Sequence, residues 1–134
     1  MQSDDQAVLS SNTTRWAGLI LSALAVLFLI FDGVIKVLRL APAMESTVQL
    51  GYPESLVLGI GIVELICLAV YVIPQTSVLG AILLTGYLGG AVATQVRAGS
   101  EPFSVVFPVI IGLLLWGGLY LLDPRLRALS PLRR

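Results

Sequence analysis

At 134 residues the chain fits one domain, yet 57% of it is apolar and 12% charged, with a mean hydropathy of +0.94, more hydrocarbon than a soluble fold of this size can hide. Lipid is the expected solvent, and because an unpaired backbone group is costly there, the long unbroken apolar runs are expected to cross as helices. Zero net charge without an aromatic-interleaved basic patch excludes a nucleic-acid partner, a single cysteine (Cys67) excludes a disulfide framework or a Cys-x-x-Cys pair, and the lack of histidine removes the commonest haem and metal ligand and the usual general base.

Residues 1–14 read as a disordered tail. Asp4 and Asp5 stand where a signal peptide would carry lysines, and the apolar run after Arg15 is too long for one, so it reads as a retained first helix. That helix is expected over residues 16–38, with Thr13 or Thr14 placed to cap its free N–H groups. The stretch from Pro42 to Gly51 fits either a short surface helix, begun at the proline and stopped at the glycine, or a plain loop. The second span, residues 55–73, is introduced by Pro53, suited to a first turn, and Glu54, suited to the helix dipole. Pro74-Gln75-Thr76 then breaks the helix and reverses the chain, making the second and third spans antiparallel neighbours. The third covers residues 78–96 and ends at Ala98-Gly99-Ser100-Glu101-Pro102, and the fourth covers residues 103–122, before Asp123-Pro124. Residues 125–134 form a basic tail. Each span is roughly 19–23 residues, close to the ~20 that cross a ~30 Å hydrocarbon layer. The expected fold is therefore all-α, an integral membrane four-helix antiparallel bundle over residues 15–124.

An even number of spans puts both termini on one side. That side holds Arg15, Arg125, Arg127, Arg133 and Arg134, against Lys36, Arg39 and Arg97 on the other, which makes both termini cytoplasmic. Trp16, Tyr71, Trp116 and Tyr120 fall near the same helix ends, where amphipathic rings anchor. Gly86-x-x-x-Gly90, flanked by Gly89, Ala91 and Ala93, marks the third span as central, with Gly59, Gly61, Gly112, Gly117 and Gly118 as flat packing patches on the second and fourth.

Asp32 and Glu64 carry the chemistry, because an ionised carboxylate deep in a bilayer costs at least ~2.5–3.5 kcal/mol unless something compensates it. Asp32 precedes Lys36 by one helical turn, and Ser22, Ala25, Leu29, Asp32 and Lys36 share a stripe that should face the bundle interior. At the rise of a helix, Asp32 lies about 9 Å and Glu64 about 12 Å below the outer boundary. Glu64, Cys67 or Leu68, and Tyr71 share one face of the second span; Tyr87, Ala91 and Thr94 share one of the third, with Gln95 and Arg97 near its outer end. Asp32, Lys36, Glu64 and Arg97 sum to zero charge in one half of the membrane. The expected site is a polar pocket in the outer half of the bundle, with Glu64, Asp32 and Lys36 as candidate catalytic groups and Tyr87, Thr94, Gln95 and Arg97 as its lining. A structural ion-pair network that fixes helix register is the competing reading. Cys67 reads as a buried apolar filler, and Glu45, Glu54 and Glu101 as solvated. No metal site is expected.

The segments Phe31-Asp32-Gly33-Val34-Ile35-Lys36, Leu50-Gly51-Tyr52-Pro53, Gly61-Ile62-Val63-Glu64-Leu65, the stretch from Gly80 to Ala91, and Leu115-Trp116-Gly117-Gly118-Leu119-Tyr120 resemble the DoxX-like membrane proteins of bacteria. The resemblance extends over about residues 17–128 and implies a compact four-helix bundle in the bacterial inner membrane. It maps the family's acid and lysine onto Asp32 and Lys36, and its second-helix glutamate onto Glu64. Gln95 stands where relatives often carry a histidine, so no proton-transfer or metal role is carried over to that position. Some relatives are small subunits of thiosulfate:quinone oxidoreductases.

Two classes of function follow. The first is an accessory subunit or enzyme of a quinone-linked oxidoreductase system, with a quinone or lipid-like ligand. The chain has no haem, flavin or cysteine-pair signature, so a redox-enzyme partner subunit would carry the electrons while Glu64, Asp32 and Lys36 handle protons or an anionic head group. The second is a non-catalytic bundle that binds or carries a small amphiphile or stabilises a larger complex, with a homo-oligomer as one way to gain room.

Overall fold

The computed structural model describes residues 2–128. Six α-helices follow in order: α1 (Gln2–Val37), α2 (Ala41–Gln49), α3 (Val57–Val72), α4 (Ser77–Arg97), α5 (Pro102–Leu122) and α6 (Pro124–Ala128). Short 3-10 turns, Glu54–Leu56 and Pro74–Thr76, lead into α3 and α4, and the described residues contain no strand. Four segments are long and apolar enough to cross a bilayer: Asn12–Val37, Glu54–Val72, Pro74–Arg97 and Pro102–Leu122. Large apolar side chains on all four, Leu27, Ile66, Ile82 and Leu113 among them, point away from the protein core, as a lipid-facing surface requires. The chain is thus an all-α, four-span integral membrane bundle.

The ends depart from expectation. α1 begins at Gln2, so the stretch expected to be a disordered tail continues the helix, and Thr13 and Thr14 sit inside it rather than at its cap. No proline or glycine precedes Gly18, so nothing in that stretch breaks a helix once the apolar span behind it has formed one. At the other end Arg125 and Arg127 belong to α6, while the rest of the basic tail, with Arg133 and Arg134, lies outside the described residues. Of the two readings of the α1–α3 connection the helix is correct. Pro42 stands in the first turn of α2, Leu50 is its C-cap, and Gly51 follows with φ 96, the left-handed conformation that stops a helix. Pro53 is the N-cap of the following 3-10 turn rather than a first-turn residue, with Glu54 opening the turn.

The spanning helices form a square in which α1 and α4 each pack against both α3 and α5. The core runs along the middle of the square through Ala25, Leu29, Leu68, Ala81, Leu84 and Leu115. Close approaches rest on glycines outside the Gly86-x-x-x-Gly90 pattern. Gly18 and Gly118 face one another where α1 crosses α5: a Cβ on Gly18 would come within 3.0 Å of the Gly118 carbonyl oxygen. Gly61 meets Gly33 in the same way where α1 crosses α3, and a Cβ on Gly80 would collide with the backbone of Val70 and Tyr71 where α3 meets α4. By contrast Gly86, Gly89 and Gly90 have nothing within 4 Å of the position a Cβ would take. The Gly86-x-x-x-Gly90 pattern is therefore no helix–helix contact within this chain, and α4 is no more central than its neighbours.

Tyr71 also corrects its expected place. Its ring is 5% exposed, it donates to the Leu115 carbonyl at 2.9 Å, and its oxygen lies 3.0 Å from Ser22 Oγ, so it ties α1, α3 and α5 together in the core instead of anchoring an interface. Trp116 donates through its indole nitrogen to Thr85 Oγ1 at 2.6 Å, linking α5 to α4. Trp16 remains exposed, as an anchoring ring should be.

Candidate functional site

The stripe Ser22, Ala25, Leu29, Asp32 and Lys36 on α1 faces inward as its spacing requires, with Ala25 and Leu29 fully buried. Its last two members meet Glu64 of α3 and Tyr87 of α4. Lys36 Nζ donates to Asp32 Oδ2 at 2.5 Å, to Glu64 Oε2 at 3.2 Å and to Tyr87 Oη at 2.8 Å. The Tyr87 hydroxyl in turn donates to Glu64 Oε2 at 2.9 Å. Glu64 is completely buried, while Lys36 and Asp32 keep 15% and 27% of their side chains exposed. Three helices are thereby joined through one ammonium, and the matching depth expected for the two acids is realised by both reaching the same nitrogen. The other carboxylate oxygen of Glu64, Oε1, is buried and accepts no hydrogen bond.

This cluster stands at the wall of a cavity of about 730 Å³, within the range typical of small-molecule sites. Asp32, Lys36, Glu64, Tyr87, Thr94 and Gln95 all line it. Arg97 does not. Its guanidinium donates to the Leu50 carbonyl at 2.7 Å, because the last turn of α4 sets this long side chain beside the end of α2, so its charge holds the connection rather than compensating Glu64. The cluster therefore has two carboxyl groups and one basic side chain, without the second base expected from sequence. Cys67 is buried in the core beneath it. Glu45, Glu54 and Glu101 are exposed.

The cavity forms because α3 and α4 touch closely at the Gly80 end and have no such contact at Gly59, Gly86 and Gly90, all of which line it. A second set of bonds runs along its lining. Tyr52 Oη lies 2.9 Å from Thr94 Oγ1, which donates to the Gly90 carbonyl at 2.8 Å, and α2 contributes Ser46, Thr47 and Leu50 to the lining.

Sequence reasoning missed the apolar wall. Phe28 and Phe107 pack edge to face with centroids 4.7 Å apart, and Phe103 lies against Phe107 at 5.6 Å, all three lining the cavity. The signal was present: Phe28 is one turn ahead of Asp32 on the charged stripe, and Phe103 and Phe107 are one turn apart on α5. Pro108, also in the lining, lacks the N–H that would bond to the carbonyl of Ser104, another lining residue. The site thus combines a hydrocarbon-lined chamber with an ionic cluster at one wall, an arrangement suited to an amphiphile.

Comparison with curated proteins and with solved structures gives no match. A family model, that of the DoxX-like family, matches residues 20–118, a range that contains Asp32, Lys36, Glu64, Tyr87, Thr94 and Gln95. The chain therefore belongs to the DoxX-like family.

Proposed function

We propose that this protein binds a lipid-soluble amphiphile in its membrane-embedded cavity and serves a quinone-linked oxidoreductase system as a small membrane subunit. The observation that carries the reading is the chamber of about 730 Å³ with the Asp32–Lys36–Glu64–Tyr87 cluster at its wall. A network that only fixed helix register would be well served by closed packing, whereas here α3 and α4 leave Gly59, Gly86 and Gly90 facing open space. The apolar body of the ligand lies against Phe28, Phe103 and Phe107 and its head meets the cluster, where Glu64, Asp32 and Lys36 hold and hand on protons. The sequence supplies one cysteine and no histidine, so the electrons pass through a partner subunit. The protein sits in the bacterial inner membrane with both termini cytoplasmic, and the cavity opens toward the extracytoplasmic side.

Native mass spectrometry of the detergent-extracted protein tests the binding. The wild type is expected to retain a bound amphiphile that the Gly90→Leu variant, whose side chain grows into the chamber, has lost. Retention by Gly90→Leu, or a wild type with no ligand, overturns the pocket. Orientation is tested separately by reporter fusions after Met44 and after Arg134: the first should report outside the cytoplasm and the second inside, and a cytoplasmic signal at Met44 inverts the topology.

A further inference from the structure

The chamber is lined unevenly around α3, where its wall takes in Leu56 just ahead of the helix and then Gly59, Ile60, Val63 and Glu64. At about 100° per residue, Val63 stands about 100° round the helix from Glu64 and Gly59 about 140°. Both lie on the flank away from Gly61, which packs on Gly33 and Lys36 of α1. On α4 the pattern repeats: Gly86 stands about 100° and Gly90 about 60° from Tyr87, on the flank away from Leu88, the residue that meets Gly112 of α5. A position more than a right angle from the inward-facing side chain belongs to the outside of a bundle, yet here such positions bound the same cavity as Glu64. The cavity therefore continues between α3 and α4 as a slot reaching the lipid-facing surface, where Leu56 and Val63 are 47% and 52% exposed. Gly59 and Val63, like Gly86 and Gly90, are one turn apart, which gives the slot a height of at least about 6 Å.

Leu56, Gly59, Val63, Gly86 and Gly90 bring no polar side chain to the slot. A head group gains no partner there, whereas a hydrocarbon chain passes from lipid into the slot with nothing polar to desolvate. Resting on the amphiphile-binding reading, we infer that the hydrocarbon tail of the bound amphiphile leaves the chamber between α3 and α4 and lies in the bilayer, while its head stays at the Asp32–Lys36–Glu64–Tyr87 cluster. The ligand is then a long-chain alkyl or isoprenoid amphiphile that enters sideways from the membrane without crossing water. The other helix pairs are bridged beside the chamber: Phe28 packs on Phe107 between α1 and α5, Gly33 and Gly61 bring α1 onto α3, and Leu88 meets Gly112 between α4 and α5. A chamber closed on every side would set an upper limit on tail length, and the slot sets none. Gly86-x-x-x-Gly90 thereby has a use other than packing within the chain, since side chains at these positions would fill the passage.

Geraniol, farnesol, geranylgeraniol and solanesol test this, because they carry one alcohol head on ever longer isoprenoid tails. An alcohol both donates and accepts a hydrogen bond, so it makes no demand on which protons the cluster holds. Radiolabelled alcohols are bound to the full chain in lipid nanodiscs, with protein-free nanodiscs as the partition baseline. Affinity is expressed per mole fraction of the alcohol in the lipid, so that the tail's own preference for lipid cancels. The wild type is expected to bind all of them saturably and within about threefold of one another, since the added tail lies in hydrocarbon both before and after binding. Geraniol bound and solanesol excluded means a closed chamber, which overturns the inference and leaves the pocket intact. No saturable binding of any alcohol overturns the pocket as well. Val63→Trp plugs the slot, because side chains on a helix lean over the preceding turn and the indole therefore covers Gly59. The ratio of solanesol to geraniol affinity should fall at least about tenfold in this variant, the scale of forcing atoms into filled space. An unchanged ratio overturns the inference, and where Val63→Trp also turns a dimer into a monomer it assigns the slot to a second copy of the chain.

Discussion

Replacing Lys36 by methionine is expected to destabilise the bundle by about 3–5 kcal/mol, the range for removing one partner from a buried ionic network. The size follows from what remains. Methionine keeps the length of the side chain and its packing, so the loss is electrostatic: Asp32 and Glu64 are left facing each other's charge, and Glu64 Oε2 keeps only the Tyr87 hydroxyl as a donor. The triple variant Asp32→Asn, Glu64→Gln, Lys36→Met removes every charge at once and should lie within about 1 kcal/mol of the wild type, since exchanging a whole buried network for neutral groups is often close to neutral. Reversible unfolding in mixed detergent micelles measures both. A loss below about 1 kcal/mol for Lys36→Met would mean that a proton taken up by the acid pair, or water in the cavity, replaces the ammonium as what compensates it. The triple variant also separates the two readings left open by the sequence. If it folds as well as the wild type, the charges are not required for helix register, and their retention is then a matter of the ligand.

The positions of the charges were legible because helical periodicity and charge order are local. Asp32 and Lys36 are one turn apart on a stripe whose other members, Ala25 and Leu29, are small or apolar enough to be buried. Glu64 could be placed at their depth by counting residues from the helix ends, since a membrane fixes where each helix begins. What counting could not supply is the direction of a long side chain at a helix end. Arg97 reaches the carbonyl of Leu50 because α2 happens to end beside it, a tertiary coincidence that no spacing within α4 encodes. Tyr71 illustrates the same limit. An aromatic ring with a hydroxyl near a helix end suits the membrane interface, but here Ser22 and the Leu115 carbonyl offer partners in the core, and satisfying the hydroxyl there allows the ring to be buried. The cavity was inferred from its polar wall alone. Its apolar wall was overlooked because phenylalanines in a membrane helix match lipid and core equally well.

Glycine was the hardest residue to read, and the reason yields the second large effect. Sequence ranks Gly86-x-x-x-Gly90 above an isolated Gly80, but the contacts reverse the order. Gly80→Ala is expected to destabilise the protein by about 3 kcal/mol, the upper end for overpacking, because the new methyl would meet backbone atoms of Val70 and Tyr71 that cannot rotate aside. Separation of α3 from α4 at that point would also strain the short Pro74–Thr76 turn joining them, where Thr76 Oγ1 donates to the Val70 carbonyl at 2.8 Å. Gly86→Ala should do the opposite. Its methyl meets nothing within 4 Å, so the substitution restores helix propensity lost to glycine and stabilises by up to about 1 kcal/mol. The two variants differ by one identical methyl on the same helix, which removes composition and hydrophobicity from the comparison and leaves contact alone. Unfolding midpoints in the same detergent should therefore move in opposite directions. If Gly86→Ala proves as damaging as Gly80→Ala, then Gly86 packs against a second copy of the chain or another subunit. The open space in front of it would then be an interface rather than room for a ligand.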